Sequence, residues 1–168
     1  MAKLTPMKTF TEFISFSDLT ETFDTVYPWH IIRSSPTSTI YKFAVPMPTG
    51  IKLAQVEIWV DHGQRESPDH VVTVMFTVGR RMDMPGWGDT VKFGVFSTVI
   101  AIIKDYITKY SPKIVRFSAE KEPQDVKSNS RERLYTALVQ RFATASGYRV
   151  SKLDEPVYRQ VVFTLIRK

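Results

Sequence analysis

A chain of 168 residues, 43% hydrophobic and 24% charged, is long enough to bury a core without a metal or disulfide staple and too apolar to stay unfolded. It has no cysteine, which excludes disulfides, thiolate metal sites and cysteine nucleophiles and fits a reducing cytoplasm. A net charge of +6, from 23 basic and 17 acidic residues, favours anionic partners: nucleic acid, a phosphate-bearing cofactor or an acidic protein.

In chain order, residues 7–24 come first. Phe10, Phe13, Ile14 and Phe16 recur at near-helical spacing and Thr9 or Thr11 offers a cap, which predicts a short amphipathic helix. Tyr27-Pro28-Trp29 ends it, because the residue before a proline avoids the α region. Residues 1–26 are therefore expected as a separate helical segment, and residues 27–168 as a single domain.

A strand-rich stretch follows. Residues 30–33, 39–45, 51–60 and 71–78 are rich in β-branched and aromatic side chains, and Ser34-Ser35-Pro36, residues 46–50 and Asp61-His62-Gly63 separate them. Partial alternation of apolar residues predicts an antiparallel meander with one face covered. The period then changes. Val91, Val95, Val99, Ile102 and Tyr106 recur every three or four residues, predicting a long helix with Asp89 as its N-cap and a stop at Tyr110-Ser111-Pro112. Residues 113–118 read as a short buried strand. A second helix runs through Leu134, Leu138, Phe142 and Ala145, with Asn129 and Glu132 spaced as a capping box and Gly147 just past its end. Residues 148–153 and 157–166, split by Asp154-Glu155-Pro156, read as a closing hairpin.

The expected fold is α+β: a mixed, mainly antiparallel sheet whose C-terminal half runs β-α-β-α-β-β. The strand–helix–strand crossover makes the strands at 71–78 and 113–118 parallel neighbours. No apolar run approaches the roughly 18–20 residues of a membrane span. The longest, residues 95–103, is broken by Ser97 and Thr98. The N-terminus also lacks the order of a secretory leader, so a cytoplasmic protein without membrane contact is expected.

The chemistry-bearing feature is the loop Asp83-Met84-Pro85-Gly86-Trp87-Gly88-Asp89, which joins a buried strand to the start of a long helix. Glycines there let backbone N–H groups approach a ligand, and a helix start carries free donors and partial positive charge. Arg80 and Arg81 add charge to this phosphate cradle, while Asp83 and Asp89 subtract it. The plain reading beside it is a tight turn into Asp89.

From about residue 70 onward the chain resembles the core of the GNAT acetyltransferases. The residues that carry the resemblance are Asp83-x-x-Gly86-x-Gly88, Phe117-Ser118-Ala119-Glu120, Ser128 or Asn129, Leu134-Tyr135 and Gly147-Tyr148. The family's loop begins with arginine or glutamine where Asp83 stands, and the interval from Tyr135 to Gly147 is about two helical turns longer than the family's. The resemblance implies a GNAT-like fold, acetyl-CoA held by Gly86, Trp87, Gly88 and Asp89 with Arg80 and Arg81, and N-acetyl transfer. It gives Tyr135 the role of protonating the leaving thiolate, beside the plain reading of a core residue anchoring the helix. A base is needed for the amine, and Glu57 and Glu120 are the carboxylates near strand ends.

A second resemblance covers Met7-Lys8-Thr9-Phe10-Thr11-Glu12-Phe13-Ile14, which is similar to the start of internal head proteins of tailed phages. It implies capsid targeting and cleavage after an apolar-x-Glu triplet, which Phe10-Thr11-Glu12 and Leu19-Thr20-Glu21 both fit. The alternative function is then a non-catalytic phage effector, delivered with the DNA, that binds a host protein or nucleic acid. Lys127, Arg131, Arg133 and Arg141 around the second helix are the candidate phosphate-contacting surface, and a solvated helix face is the plain alternative. His30, His62 and His70 are scattered and no metal site is expected. Asp61-His62 with Asp69-His70 reads as a polar turn in preference to a cation site.

Overall fold

The computed structural model describes residues 25–48, 50–79, 89–120, 130–155 and 160–168; the helix expected at residues 7–24 lies outside them. Seven strands form one sheet in the order β1-β2-β3-β4-β5-β7-β6. The strands are β1 (Trp29–Ser34), β2 (Ser38–Met47), β3 (Gly50–His62), β4 (Val71–Val78), β5 (Ile114–Glu120), β6 (Tyr148–Glu155) and β7 (Gln160–Arg167), with α1 (Asp89–Tyr110) after β4 and α2 (Ser130–Ser146) after β5. β1 to β4 form the antiparallel meander. β4 and β5 are parallel, as the crossover through α1 requires, and β7 lies antiparallel between β5 and β6. The fold is the α+β class expected, and its second half runs β-α-β-α-β-β as expected.

Period-2 patterning decides which face is buried. Tyr41 pairs with Val56 and Val56 with Phe76, while Val74 pairs with Phe117 and Phe117 with Phe163. Directly opposed residues share a face, and all of these are at most 7% exposed. Both helices pack on this face: Val95, Val99, Ile102 and Tyr106 of α1, and Val139, Phe142 and Ala143 of α2, join the same buried cluster. Each apolar side chain so buried contributes roughly 1.5–3 kcal/mol. The other face carries Gln55, Glu57, Thr73 and Met75, so the described elements form two layers. No described helix is long and apolar enough to cross a membrane.

Glycine is needed where the backbone turns left-handed. Gly147 (φ 79°) ends α2 and Gly63 (φ 81°) turns the β3–β4 connection. The hairpin differs from expectation at its tip. Asp154 and Glu155 pair with Val161 and Gln160, so β6 runs two residues beyond Leu153 instead of turning there. Charged residues are tolerated on an edge strand, where they also discourage further pairing. Residues 156–159 lie outside the described residues.

The β1–β2 and β3–β4 turns and the C-terminus of α1 meet at one end of the sheet. His70, fully buried, has Nδ1 2.6 Å from the Ser67 carbonyl oxygen and Nε2 3.2 Å from the Tyr106 hydroxyl. The carbonyl only accepts, so Nδ1 carries a proton toward Ser67, and Nε2 is hydrogen-bonded with the Tyr106 hydroxyl. His70 is therefore bound within the core, apart from Asp61, which accepts a hydrogen bond from Thr73. Among the described residues no cluster of three or more histidines and carboxylates could hold a metal. Arg65 donates to Ser34 Oγ and the Ser35 carbonyl and lies 4.7 Å over the Tyr110 ring. Burial pushes the phenols of Tyr41 and Tyr106 well above their ordinary range.

Candidate functional site

The opposite end is built differently. β4 and β5 pair from Val71↔Ile114 to Val74↔Phe117 and no further. Beyond that point β4 stays with β3, to Ala54↔Val78. β5 stays with β7, to Glu120↔Gln160. The two strands thus part company, and residues 75–78 and 118–120 turn edges toward each other that are not paired with one another. Unpaired strand edges are rows of donors and acceptors suited to an extended chain bearing amides.

Connectivity brings two helix starts to the same end. α1 leaves from β4 through residues 79–88 and begins at Asp89; α2 leaves from β5 and begins at Ser130. Each first turn carries N–H groups without a partner in the helix, with partial positive charge. Gly79 opens the connection in a left-handed conformation (φ 58°), its N–H donating to the Leu53 carbonyl. Amide-binding edges beside anion-binding helix starts suit a ligand with an amide arm and a phosphate group.

The residues singled out in the sequence fall as follows. Arg80, Arg81, Gly86, Trp87 and Gly88 lie outside the described residues, between Gly79 and Asp89. Asp89 is the first residue of α1, and Glu120 is the last of β5, opposite Gln160. Tyr135 is in the second turn of α2. Glu57 is half-buried on β3, opposite Met75, which is the first β4 residue past the last β4–β5 pair. Glu57 therefore sits one strand from the point of parting, on the face away from the helices. Lys127 lies outside the described residues, and Arg131 and Arg133 are in the first turn of α2. Arg141, exposed, is about 15 Å further along the helix axis from Arg131.

Two features carry no signal that sequence reasoning found. The parting of β4 and β5 is a property of backbone pairing. The anchoring of residues 25–27 on α1, where Thr98 Oγ1 accepts from the Tyr27 N–H at 2.9 Å and Ser97 Oγ donates to the Thr25 carbonyl, joins residues more than seventy positions apart. Ser97 and Thr98 interrupt an apolar run, and that interruption is the one available clue.

No family model matches the chain, and no curated protein matches it. Among solved structures it is similar to RimL, a ribosomal alpha-N-protein acetyltransferase in complex with coenzyme A. The TM-score is 0.36 at 8% identity, over 78% of this chain and 63% of that one. It is also similar to AAC(6')-Ib in complex with ribostamycin and coenzyme A, with a TM-score of 0.35 at 14% identity, over 79% of this chain and 65% of that one. The chain thus spans less than two thirds of the length of either. Likenesses this distant say nothing of activity, and the functional reading rests on the chain's own topology.

Proposed function

We propose that the protein binds an acyl-coenzyme A, acetyl-CoA in the first instance, in the opening between β4 and β5 and transfers the acyl group to an amine. The observation that carries this reading is the parting of two parallel strands after Val74↔Phe117 at the end where α1 and α2 begin. The pantetheine arm is an extended chain with two amides, matching the unpaired edges of residues 75–78 and 118–120. The diphosphate belongs at the start of α1, where Gly86 and Gly88 let the backbone come close and Arg80 and Arg81 supply charge.

The amine nitrogen attacks the thioester carbonyl, the C–N bond forms and the C–S bond breaks. Glu57 or Glu120 accepts the proton lost by the amine, and the Tyr135 hydroxyl gives one to the departing thiolate.

A thermal melt with and without millimolar acetyl-CoA tests the binding step. A ligand at about a hundred times its dissociation constant adds roughly 2.7 kcal/mol, a rise of about 5–10 °C for a chain of this size. No rise overturns the acyl-CoA reading. In its place would stand the non-catalytic effector, for which binding weakens with salt and fails on charge reversal at Lys127, Arg131 or Arg133.

A further inference from the structure

The β2–β3 hairpin outruns the strands on either side of it. β1 pairs with β2 no further than Trp29↔Phe43, and β4 with β3 no further than Ala54↔Val78. The hairpin continues for the pairs Ala44↔Leu53, Val45↔Lys52, Pro46↔Ile51 and Met47↔Gly50. At 3.3–3.4 Å per residue this two-stranded ribbon extends about 13 Å beyond its paired neighbours, at the end where β4 and β5 part.

The faces of the ribbon differ. On the inner face Val45 is fully buried and Met47 half-buried. The outer face carries Ala44, Pro46, Ile51 and Leu53, which direct opposition places together, and every one of them is exposed. Ile51 and Leu53, at 71% and 61%, are the most exposed large apolar side chains among the described residues. Apolar residues scattered singly over a surface mean little, but a block of them on a projecting ribbon marks a surface that meets something apolar.

The charge around this block has one sign. Residues 25–56 contain no aspartate or glutamate and carry His30, Arg33, Lys42 and Lys52. Lys52 is exposed on the ribbon itself. Lys42, opposite His30, continues the outer face just behind Ala44. The first carboxylate along β3, Glu57, stands behind Gln55 on that face. An apolar end with a basic collar matches a bilayer bearing anionic headgroups: aliphatic side chains enter the acyl boundary while lysines stay with the headgroups. Single-stranded nucleic acid fits poorly, because it is gripped by stacking on aromatic rings and this block has none.

We propose that the protein adsorbs to anionic lipid bilayers through this ribbon, with Ile51 and Leu53 inserted and Lys42 and Lys52 at the headgroups. The expectation of no membrane contact rests on the lack of a spanning segment, which surface adsorption does not require. The proposal is independent of the acyl-CoA reading, since it concerns the outer face of the hairpin and not the opening between β4 and β5.

The test sediments the full chain with vesicles of phosphatidylcholine and phosphatidylglycerol in equal parts, and with vesicles of phosphatidylcholine alone. Attachment of this kind is reversible and comparable to that of a single acyl chain, so the protein should pellet with the anionic vesicles at millimolar lipid. Binding should be about tenfold weaker to phosphatidylcholine alone. It should weaken about tenfold for the double variant Ile51→Ser with Leu53→Ser, whose melting midpoint stays unmoved because both side chains are exposed. A polarity-sensitive fluorophore placed by Leu53→Cys in the otherwise cysteine-free chain should shift to the blue on anionic vesicles, and one placed by Met75→Cys should not. No pelleting with anionic vesicles overturns the proposal. So does pelleting that the double variant leaves unchanged, which would be attraction of a basic protein to charge alone. A dimer in sedimentation equilibrium that the double variant dissociates overturns it too, since a second copy would then occupy the ribbon.

Discussion

The two ends of the sheet are made from the same strands and differ in how they are closed. At one end every connection is tied: His70 to Ser67 and Tyr106, Arg65 to the β1–β2 turn, the Tyr148 hydroxyl to the Pro112 carbonyl, and Arg167 to the Ser111 carbonyl at 2.6 Å. At the other end β4 and β5 stop pairing after Val74↔Phe117 and two helices present their starts. The first end is built for stability, and the proposed binding site lies at the second. Substitutions should therefore separate, with one set lowering stability and the other lowering ligand affinity or turnover.

The largest effect is expected at Gly94. Gly94→Val drives a side chain into Tyr27 and should cost about 3 kcal/mol, read as a fall in the denaturation midpoint. Tyr135→Phe removes the proposed proton donor and should lower transfer about a hundredfold with the melting curve unmoved. A stability loss with turnover intact would return Tyr135 to the core. His70→Ala removes a buried ring and two hydrogen bonds and should cost roughly 2 kcal/mol, while the upward melting shift with acetyl-CoA persists.

Alkaline pH offers a milder probe of the closed end. Burial raises the phenols of Tyr41 and Tyr106 above their unfolded value, so their contribution is complete below pH about 10 and is lost as pH rises past it. Unfolding midpoints measured from pH 8 to 11.5 should hold steady and then fall, and Tyr106→Phe should soften that fall. The smallest effect belongs to the face away from the helices. Met75 is 43% exposed, and Met75→Ser should change stability by no more than about 0.5 kcal/mol.

Much of this architecture is legible in the chain. Alternating apolar residues in 71–78 give β4 its bounds, and the switch to a three-to-four spacing from Val91 reveals α1 and with it the parallel β4–β5 pair. Gly147 ends α2 where its freedom of backbone is needed. Asp154-Glu155-Pro156 reads as a turn because charge and proline usually mark one, yet pairing with Val161 and Gln160 extends the strand through the two acidic residues. The His70–Tyr106 contact spans 36 positions and leaves no local pattern. The candidate site is legible only in part: glycines ahead of a helix suggest a cradle, but the opening between β4 and β5 consists of backbone edges, which no side chain announces.

Hydrogen exchange with and without acetyl-CoA tests the account most directly, because it reports on those backbone edges. Slower exchange confined to residues 75–78, 118–120 and the first turn of α1 is the predicted result. Protection elsewhere, or none at saturating acetyl-CoA, would contradict the assignment of the opening as the binding site.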